Sequence, residues 1–404
     1  MRNRAHALMA LLLGLCLFTG CGSKSPDDYA TNRGYEEAAG GGENRNDGAE
    51  NAVDGMEDAG NAGIAREDIK VGVLYITDPG EGSGYSYTHD LGIIGMQNNL
   101  GLTDAQIVRD IVSDGDDEGT RASIEKLVAD GCNVIFTTSW GYMQTTADMA
   151  EKYPDVYFSH GTGYLSNGKN FNNYFGRIYQ PRYLSGIVAG MNTSSNKIGY
   201  VAAQDVSNSE VTGGIDAFAL GVAAVNPDAK VYVAVTNSWY APEQEEAASR
   251  KLLDMGCDVM AQHCDTPYPQ TLAQEYGVYG IGYNSDMSKE TPDSCLCSVV
   301  WNWSAYYTAA VNSVINGTWD GSNYYGGMAE GVVGVTDIAA FAAEGTEERV
   351  AQATADILSG TLNIFDGELK TNTGETVGIA GGTLDDATIT GGINWYYENV
   401  IVVR

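Results

Sequence analysis

From residue 68 onward the chain alternates short β-branched and aromatic runs with helical patterns, and this rhythm restricts its fold more than any other feature. Residues 70–76 (KVGVLYI) read as a buried strand, followed by a Gly-rich loop and a helix over 87–98. Further strands are expected at 106–112, 133–138 and 156–160, with a helical stripe of Ile124, Leu127 and Val128 stopping at Gly131. The rhythm then restarts. Leu184, Ile187, Val188 and Met191 share one helical face, and strands are expected at 197–203, 230–236, 258–263 and 278–282. Pro242 opens a helix to 255 whose early acids, Glu243, Glu245 and Glu246, suit its N-terminal dipole and whose stop is Gly256. Strand, crossover helix, strand is the pattern of a parallel sheet covered on both faces. An internal echo pairs LVADGCNVIF at 127–136 with LLDMGCDVMA at 252–261, each a helix end, a Gly stop and a buried strand. Two such halves side by side leave a cleft along the strand C-terminal edges, where open α/β folds bind ligands.

What precedes this body is of a different kind. Arg2 and Arg4 lead into an apolar run from Ala7 to Phe18, too short to span a bilayer, and then LFTGC at 17–21. The small residues before Cys21 resemble a bacterial lipobox, so Cys21 is the expected site of acylation and residues 1–21 the signal. From 22 to 67 Gly, Asn, Ala, Asp and Glu dominate. Such a segment cannot bury enough apolar surface to offset its ordering entropy and reads as a flexible spacer. With 22 Lys+Arg against 53 Asp+Glu the net charge is −31, a field that repels phosphate backbones and argues against nucleic-acid binding. Cys16 leaves with the signal and Cys21 takes lipid. Cys132, Cys257, Cys264, Cys295 and Cys297 remain, an odd number without a readable pairing, although Cys264 is free to pair with Cys295 or Cys297.

Motifs for chemistry are weak. The run 163–170 nearly spells a P-loop, but Asn170 stands where a magnesium-ligating Ser or Thr belongs and no helix pattern follows. Asp114, Asp116, Glu118, Gly119 and Glu125 match parts of an EF-hand loop, yet a strand precedes them. His89, His160 and His263 have no i, i+4 metal spacing, and no nucleophile elbow occurs. Neither metal nor cofactor is expected, and binding without catalysis is the favoured reading.

Aromatic residues, by contrast, concentrate at strand ends. GYSYTHD at 84–90 carries Tyr85, Tyr87 and His89. Trp140 follows the third strand, Trp239 a strand of the second half, and Trp301 another. His160, Asp265 and Asp286 stand at similar positions. Aromatic walls with a few carboxylates and imidazoles suit a planar ligand rich in N–H donors. Trp303 lies in a helical stripe with Tyr307, Ala310, Val311 and Val314 and is expected in the core.

These segments also carry a family resemblance. GYSYTHD at 84–90, TTSWGYM at 137–143, FSHGTGY at 158–164, the run from Asn237 to Asp265, GYNSDM at 282–287 and SVVWNWSAYY at 298–307 together resemble the basic membrane protein family of ABC-transporter substrate-binding lipoproteins. The resemblance implies a type I periplasmic-binding-protein fold: two Rossmann-like α/β lobes joined by three crossover segments, lobe 1 being 68–190 plus 295–328 and lobe 2 being 191–294 plus 329–404. It further implies a lipid-anchored monomer on the extracytoplasmic face that hands a purine nucleobase or nucleoside to ABC permease subunits. Trp239 resembles the stacking aromatic, Asp265 and Asp286 polar contacts, and Tyr85, Tyr87, His89, Trp140 and His160 the first-lobe lining. In the nucleoside-binding branch a Lys commonly stands at the place of Trp301 and contacts the sugar, so Trp301 implies a free base such as adenine. Ala241 stands where the branch resembled here often has Asp. Binding is then lobe closure, with ligand shifting the population toward the closed state. Rival readings are a sugar or another heterocycle as ligand, an exported nucleoside hydrolase, or a surface signalling protein that kept the fold.

Overall fold

The computed structural model describes residues 63–403; the signal, Cys21 and the spacer up to residue 62 lie outside the described residues. The spacer expected to reach 67 ends sooner, because Ile64 packs on the core and donates its amide N–H to the Val314 carbonyl at 3.2 Å.

The first half runs β1 (Val71–Tyr75), α1 (Gly84–Leu100), β2 (Ile107–Ile111), α2 (Asp117–Ala129), β3 (Val134–Thr137), α3 (Met143–Lys152), β4 (Tyr157–Gly161) and β5 (Phe171–Gly176). The second runs α4 (Tyr179–Asn192), β6 (Lys197–Ala202), α5 (Ser209–Ala223), β7 (Lys230–Val235), α6 (Pro242–Asp254), β8 (Val259–His263), α7 (Tyr268–Glu275), β9 (Tyr279–Asn284) and β10 (Cys295–Trp301). The chain then recrosses through α8 (Trp303–Ile315) and β11 (Tyr324–Gly326). It returns as β12 (Val333–Val335), α9 (Thr346–Leu358), the hairpin β13 (Asp366–Lys370) and β14 (Thr376–Thr383), α10 (Asp386–Gly391) and β15 (Val400–Val403).

One sheet has the order β11-β5-β4-β3-β1-β2, the other β12-β10-β9-β8-β6-β7-β15. Pairing is parallel except for β10 with β12. All five residues of β1 are buried, as they must be when helices cover both faces, whereas edge strand β2 alternates and turns Arg109 outward. The internal echo is structural. Gly131 (φ 89°) and Gly256 (φ 85°) end α2 and α6 in the left-handed conformation. The next amides, Cys132 and Cys257, reach back to the Leu127 and Leu252 carbonyls at 3.0 and 3.2 Å. Each motif delivers the chain into a central strand, β3 or β8. The near-P-loop run leads into β5, a strand. All five cysteines among the described residues are buried and free, so Cys264 bridges neither Cys295 nor Cys297.

The chain passes between the sheets three times, at 176–179, 301–303 and 326–333. These crossings correct two assignments. β10, expected with the first lobe from 295, is hydrogen-bonded between β9 and β12 because its apolar run fits a strand covered on both faces. Helix α4, expected with the first lobe, packs on α5 of the second. There the Gly186 and Gly221 backbones approach the facing helix so closely that a Cβ on either would sit 2.0 Å from the Phe218 or Tyr183 carbonyl oxygen. Helix α1 also begins at Gly84, not 87, so Tyr85 and Tyr87 stand on its first turn.

The α4–α5 contact yields a test. Gly→Ala inside a helix ordinarily stabilises by up to about 1 kcal/mol. At this crossing the overpacking cost, about 1–3 kcal/mol or more, should win. Gly186→Ala and Gly221→Ala should each lower the melting temperature by circular dichroism; an unchanged or raised value would mean the helices separate freely.

Candidate ligand-binding cleft

Parallel strands deliver every β-to-α junction of a sheet to one edge, so the candidate residues of each lobe gather without any long-range motif. The lobes meet at the first turn of α1. A Cβ on Gly84 would sit 2.9 Å from the Asp265 carbonyl oxygen, with the loop after β8 directly opposite.

The second-lobe wall is built on three strand ends. Trp239 follows β7 and Asp265 follows β8, and the two loops are tied by the Asp265 N–H donating to the Trp239 carbonyl at 2.8 Å. Glu245, fully buried on α6, holds the same pair of loops. Its carboxylate accepts the Ala241 N–H at 2.9 Å and the Thr266 hydroxyl at 2.6 Å. Asn284 ends β9 at φ 70°, and its side-chain amide donates to Asp265 Oδ1 at 2.7 Å. Asp265 is 8% exposed. Burial first, opposed by the Asn284 hydrogen bond and reinforced by Glu245 and Glu210, pushes its carboxyl up to about 7. Beside it His263, fully buried, contacts the Trp239 ring edge-on at 5.7 Å and the Tyr283 ring at 4.8 Å. Burial and then the Arg182 charge bring the imidazole down to about 4 against the pull of Glu210. Neutral at pH 7, His263 donates from Nε2 to Glu210 Oε1 at 3.2 Å. Arg182 is itself buried, lies 4.0 Å over the Tyr283 ring and donates to the Gln262 carbonyl at 2.6 Å.

From the first lobe, Tyr85 reaches this wall. Its hydroxyl donates to the Thr138 carbonyl at 2.6 Å. Its phenol is held well above the ordinary range by burial and then by neighbours that include Tyr174, Glu210, Tyr283 and Asp265. Behind it, rings of His89, Trp303 and Trp301 form a continuous parallel stack, with centroids 4.7 and 4.5 Å apart. The stack runs from α1 through the second crossing to β10. Trp301 is 6% exposed, packs beside Phe175 at 5.1 Å and donates Nε1–H to the Tyr283 hydroxyl at 3.3 Å. Between the lobes, beside this hinge, a space of about 10 Å³ is lined by Phe175, Tyr179, Glu210, Tyr325 and Thr390. It has room for about one water, so a larger ligand at this point requires the lobes to separate.

The structure therefore brings together Tyr85, Trp239, Asp265 and, at the hinge, Trp301. His89 is not on the cleft surface: it is fully buried, pairs with the Tyr307 hydroxyl, and its pKa is driven well down by burial. His160 is likewise internal. It donates from Nε2 to the Ser139 carbonyl at 2.7 Å and pairs through Nδ1 with the Asn173 amide, and burial lowers it to about 4. Asp286, expected as a polar ligand contact, is exposed and accepts the Ser288 N–H at 2.9 Å, capping a turn, while the side-chain partner of Asp265 is Asn284, two residues earlier. Trp140 is 56% exposed at the rim, 5.9 Å from the Tyr164 ring, and Tyr87 is half-buried on α1. Glu210, Tyr283, Asn284 and Arg182 are not singled out in the sequence, where Glu245 reads only as a helix first-turn acid and His263 only as a histidine without metal spacing. Glu210 and Glu245 resemble ordinary acids of a helix first turn, and only their partners distinguish them.

With this geometry in view, comparisons with known proteins are informative. The sequence model of the Bmp family, described as ABC transporter substrate-binding protein PnrA-like, matches residues 69–364. The chain is 36% identical over 341 residues to a purine-binding protein of Brucella abortus, covering 84% of this chain and 95% of that one. It is 34% identical over 301 residues to a Haloferax volcanii protein carrying the name ABC transporter glucose-binding protein TsgA13, covering 74% and 75%. Among solved structures, a transcriptional activator of the comK gene from Bacillus halodurans superimposes with a TM-score of 0.63 at 20% identity, covering 72% of this chain and 99% of that one. An ABC transporter solute-binding protein from Conexibacter woesei gives 0.60 at 18%, covering 73% and 98%. The fold is that of the type I periplasmic binding proteins.

The raised Asp265 carboxyl has a stability consequence with a definite sign. The native state keeps its proton up to about pH 7, while the unfolded chain loses it in the ordinary carboxylate range. Stability from this group is thus fully present below that range, declines as pH rises, and is gone above about 7. Asp265→Asn, which keeps an acceptor for Asn284, should melt higher than the parent at pH 8 and approach it at pH 4. Equal melting temperatures at pH 8 would show that the carboxyl ionises without penalty.

Proposed function

The chain belongs to the Bmp, PnrA-like family of ABC transporter substrate-binding proteins, and we propose that it captures a purine nucleobase of the adenine type for an ABC importer, tethered by lipid at Cys21 on the extracytoplasmic face. The observation that carries this reading is an indole, Trp239, joined to the buried Asp265–Asn284 pair, with the first turn of α1 from the opposite lobe, which carries Tyr85, packed against Asp265 at Gly84. A flat base on the indole gains about 1–3 kcal/mol by stacking. Its N–H edge meets a carboxylate already stripped of water, and a ligand lacking that donor leaves the acceptor unpaired.

Trp301 supplies the size limit in this proposal. It is locked by its stack on Trp303, its bond to Tyr283 and the Gly176 backbone against its edge, where a Cβ would lie 2.8 Å away. An indole so fixed cannot swing aside for ribose, which supports a free base over a nucleoside. The name of the Brucella relative supports a purine. A sugar is the second reading, supported by the name of the Haloferax relative and by the ability of sugars to stack on Trp. The monomeric state and the permease partner belong to the same proposal.

Calorimetry on the purified chain with adenine, adenosine and glucose separates these readings. Adenine is expected to bind most tightly; tighter adenosine would overturn the role given to Trp301, and glucose binding without purine binding would favour the sugar. Trp239→Ala should weaken adenine at least about tenfold, the value of one lost stack, with little change in melting temperature. Unchanged affinity in that variant would remove Trp239 from the site.

A further inference from the structure

A second carboxylate stands in the same cleft. Glu210 lies in the first turn of α5, its side chain 20% exposed, and lines the interlobe space with Phe175, Tyr179 and Tyr325. His263 fixes one of its oxygens, and the His263 ring in turn meets the Trp239 ring edge-on. Two residues further along the same strand end, Asp265 is joined to Trp239 through the backbone. One strand end thus brings two carboxylates around a single indole, Asp265 directly and Glu210 through a neutral imidazole. His263 donates to Oε1 of Glu210, and a carboxylate has acceptor capacity beyond that one bond. Beside Asp265, the Asn284 side-chain oxygen is buried without a partner, a further acceptor at the same wall.

We propose that Glu210 is a specificity-determining ligand contact that accepts a free ring N–H. On the purine reading above, the cleft then prefers unsubstituted bases to bases alkylated at N9. In the proposed pose a purine lies on Trp239 with its exocyclic amine toward Asp265 and its imidazole edge toward Glu210. Adenine presents an N–H on that edge. N9 substitution puts carbon in place of that hydrogen and leaves the partly buried Glu210 carboxylate facing an alkyl group, a mismatch that hydrogen-bonding sites reject strongly. This determinant differs from the Trp301 limit: Trp301 excludes bulk, whereas Glu210 reads the presence of one proton. An acid in a helix first turn also complements the dipole, and a residue with only that task would leave ligand choice untouched when replaced.

The test compares adenine with 9-methyladenine by calorimetry on the full chain, because a methyl group is far too small to report on the ribose space at Trp301. The parent should bind adenine at least about tenfold more tightly. Glu210→Gln and Glu210→Ala should reduce that preference to within about threefold, mainly by weakening adenine, with 9-methyladenine little changed. The near-isosteric Gln variant guards against loss of fold, checked by its melting temperature. A parent that binds neither compound overturns the purine reading and this role with it. A parent that binds both alike, or variants that keep the parent's preference, overturn the role of Glu210 alone.

Discussion

Parallel pairing is the constraint from which the rest of this molecule follows. Two parallel strands cannot be joined by a tight turn, so the connections, the loop from β4 to β5 excepted, climb back over the sheet as helices and the β-to-α junctions fall on one edge. In each lobe that edge collects residues far apart in sequence, such as Trp239, Asp265 and Asn284, next to one another. The helices that make the connections also cover the faces of the sheets, so the loops of the two lobes are carried on packed α/β bodies that meet at these edges.

The jaws are joined by packing as well as by chain. One apolar cluster runs from β1 and α1 through Trp301, Trp303 and Tyr307 into β6 and α5, while smaller clusters fill the outer face of each sheet. The stack of His89, Trp303 and Trp301 lies inside that continuous cluster, where dispersion between parallel rings favours one hinge geometry. Around the cleft, the polar groups carry the energetic tension. A carboxyl raised to about 7 and an imidazole lowered to about 4 are both stated costs of burial, partly offset by Asn284 and Glu210. Asp265 is therefore a group whose burial disfavours its charged form, at a cost in stability once it ionises.

Much of this architecture was legible beforehand, and for local reasons. The stop glycines at 131 and 256, each followed by a small buried cysteine and a β-branched run, signal helix end and strand start through φ alone. Tyr85, Trp239 and Asp265 are singled out as aromatic and acidic residues in loops after strands; the structure sets Trp239 and Asp265 on joined loops and Tyr85 on the first turn of α1, next to Gly84 at the seam. His89 and His160 matched the same description yet turned inward, since a helix position or the last residues of a strand can face either side and the pattern does not say which. Asp286, expected as a polar ligand contact, lies exposed in a turn, and it is Asn284, left-handed at the end of β9, whose side chain meets Asp265. Glu210 and Glu245 were invisible because an acid in a first turn is unremarkable until its partner is known.

The amino-acid order alone determined the two parallel α/β halves, their cleft and the aromatic character of its walls, because hydrophobic period, turn residues and helix stops are nearest-neighbour properties. Only the tertiary structure decided that β10 and α4 belong to the second lobe, that two histidines serve the interior, and that Glu210 joins Asp265 around one indole. Those facts depend on which faces meet across hundreds of residues. Close approach of backbones, removal of water and shared hydrogen bonds exist only once the chain has folded.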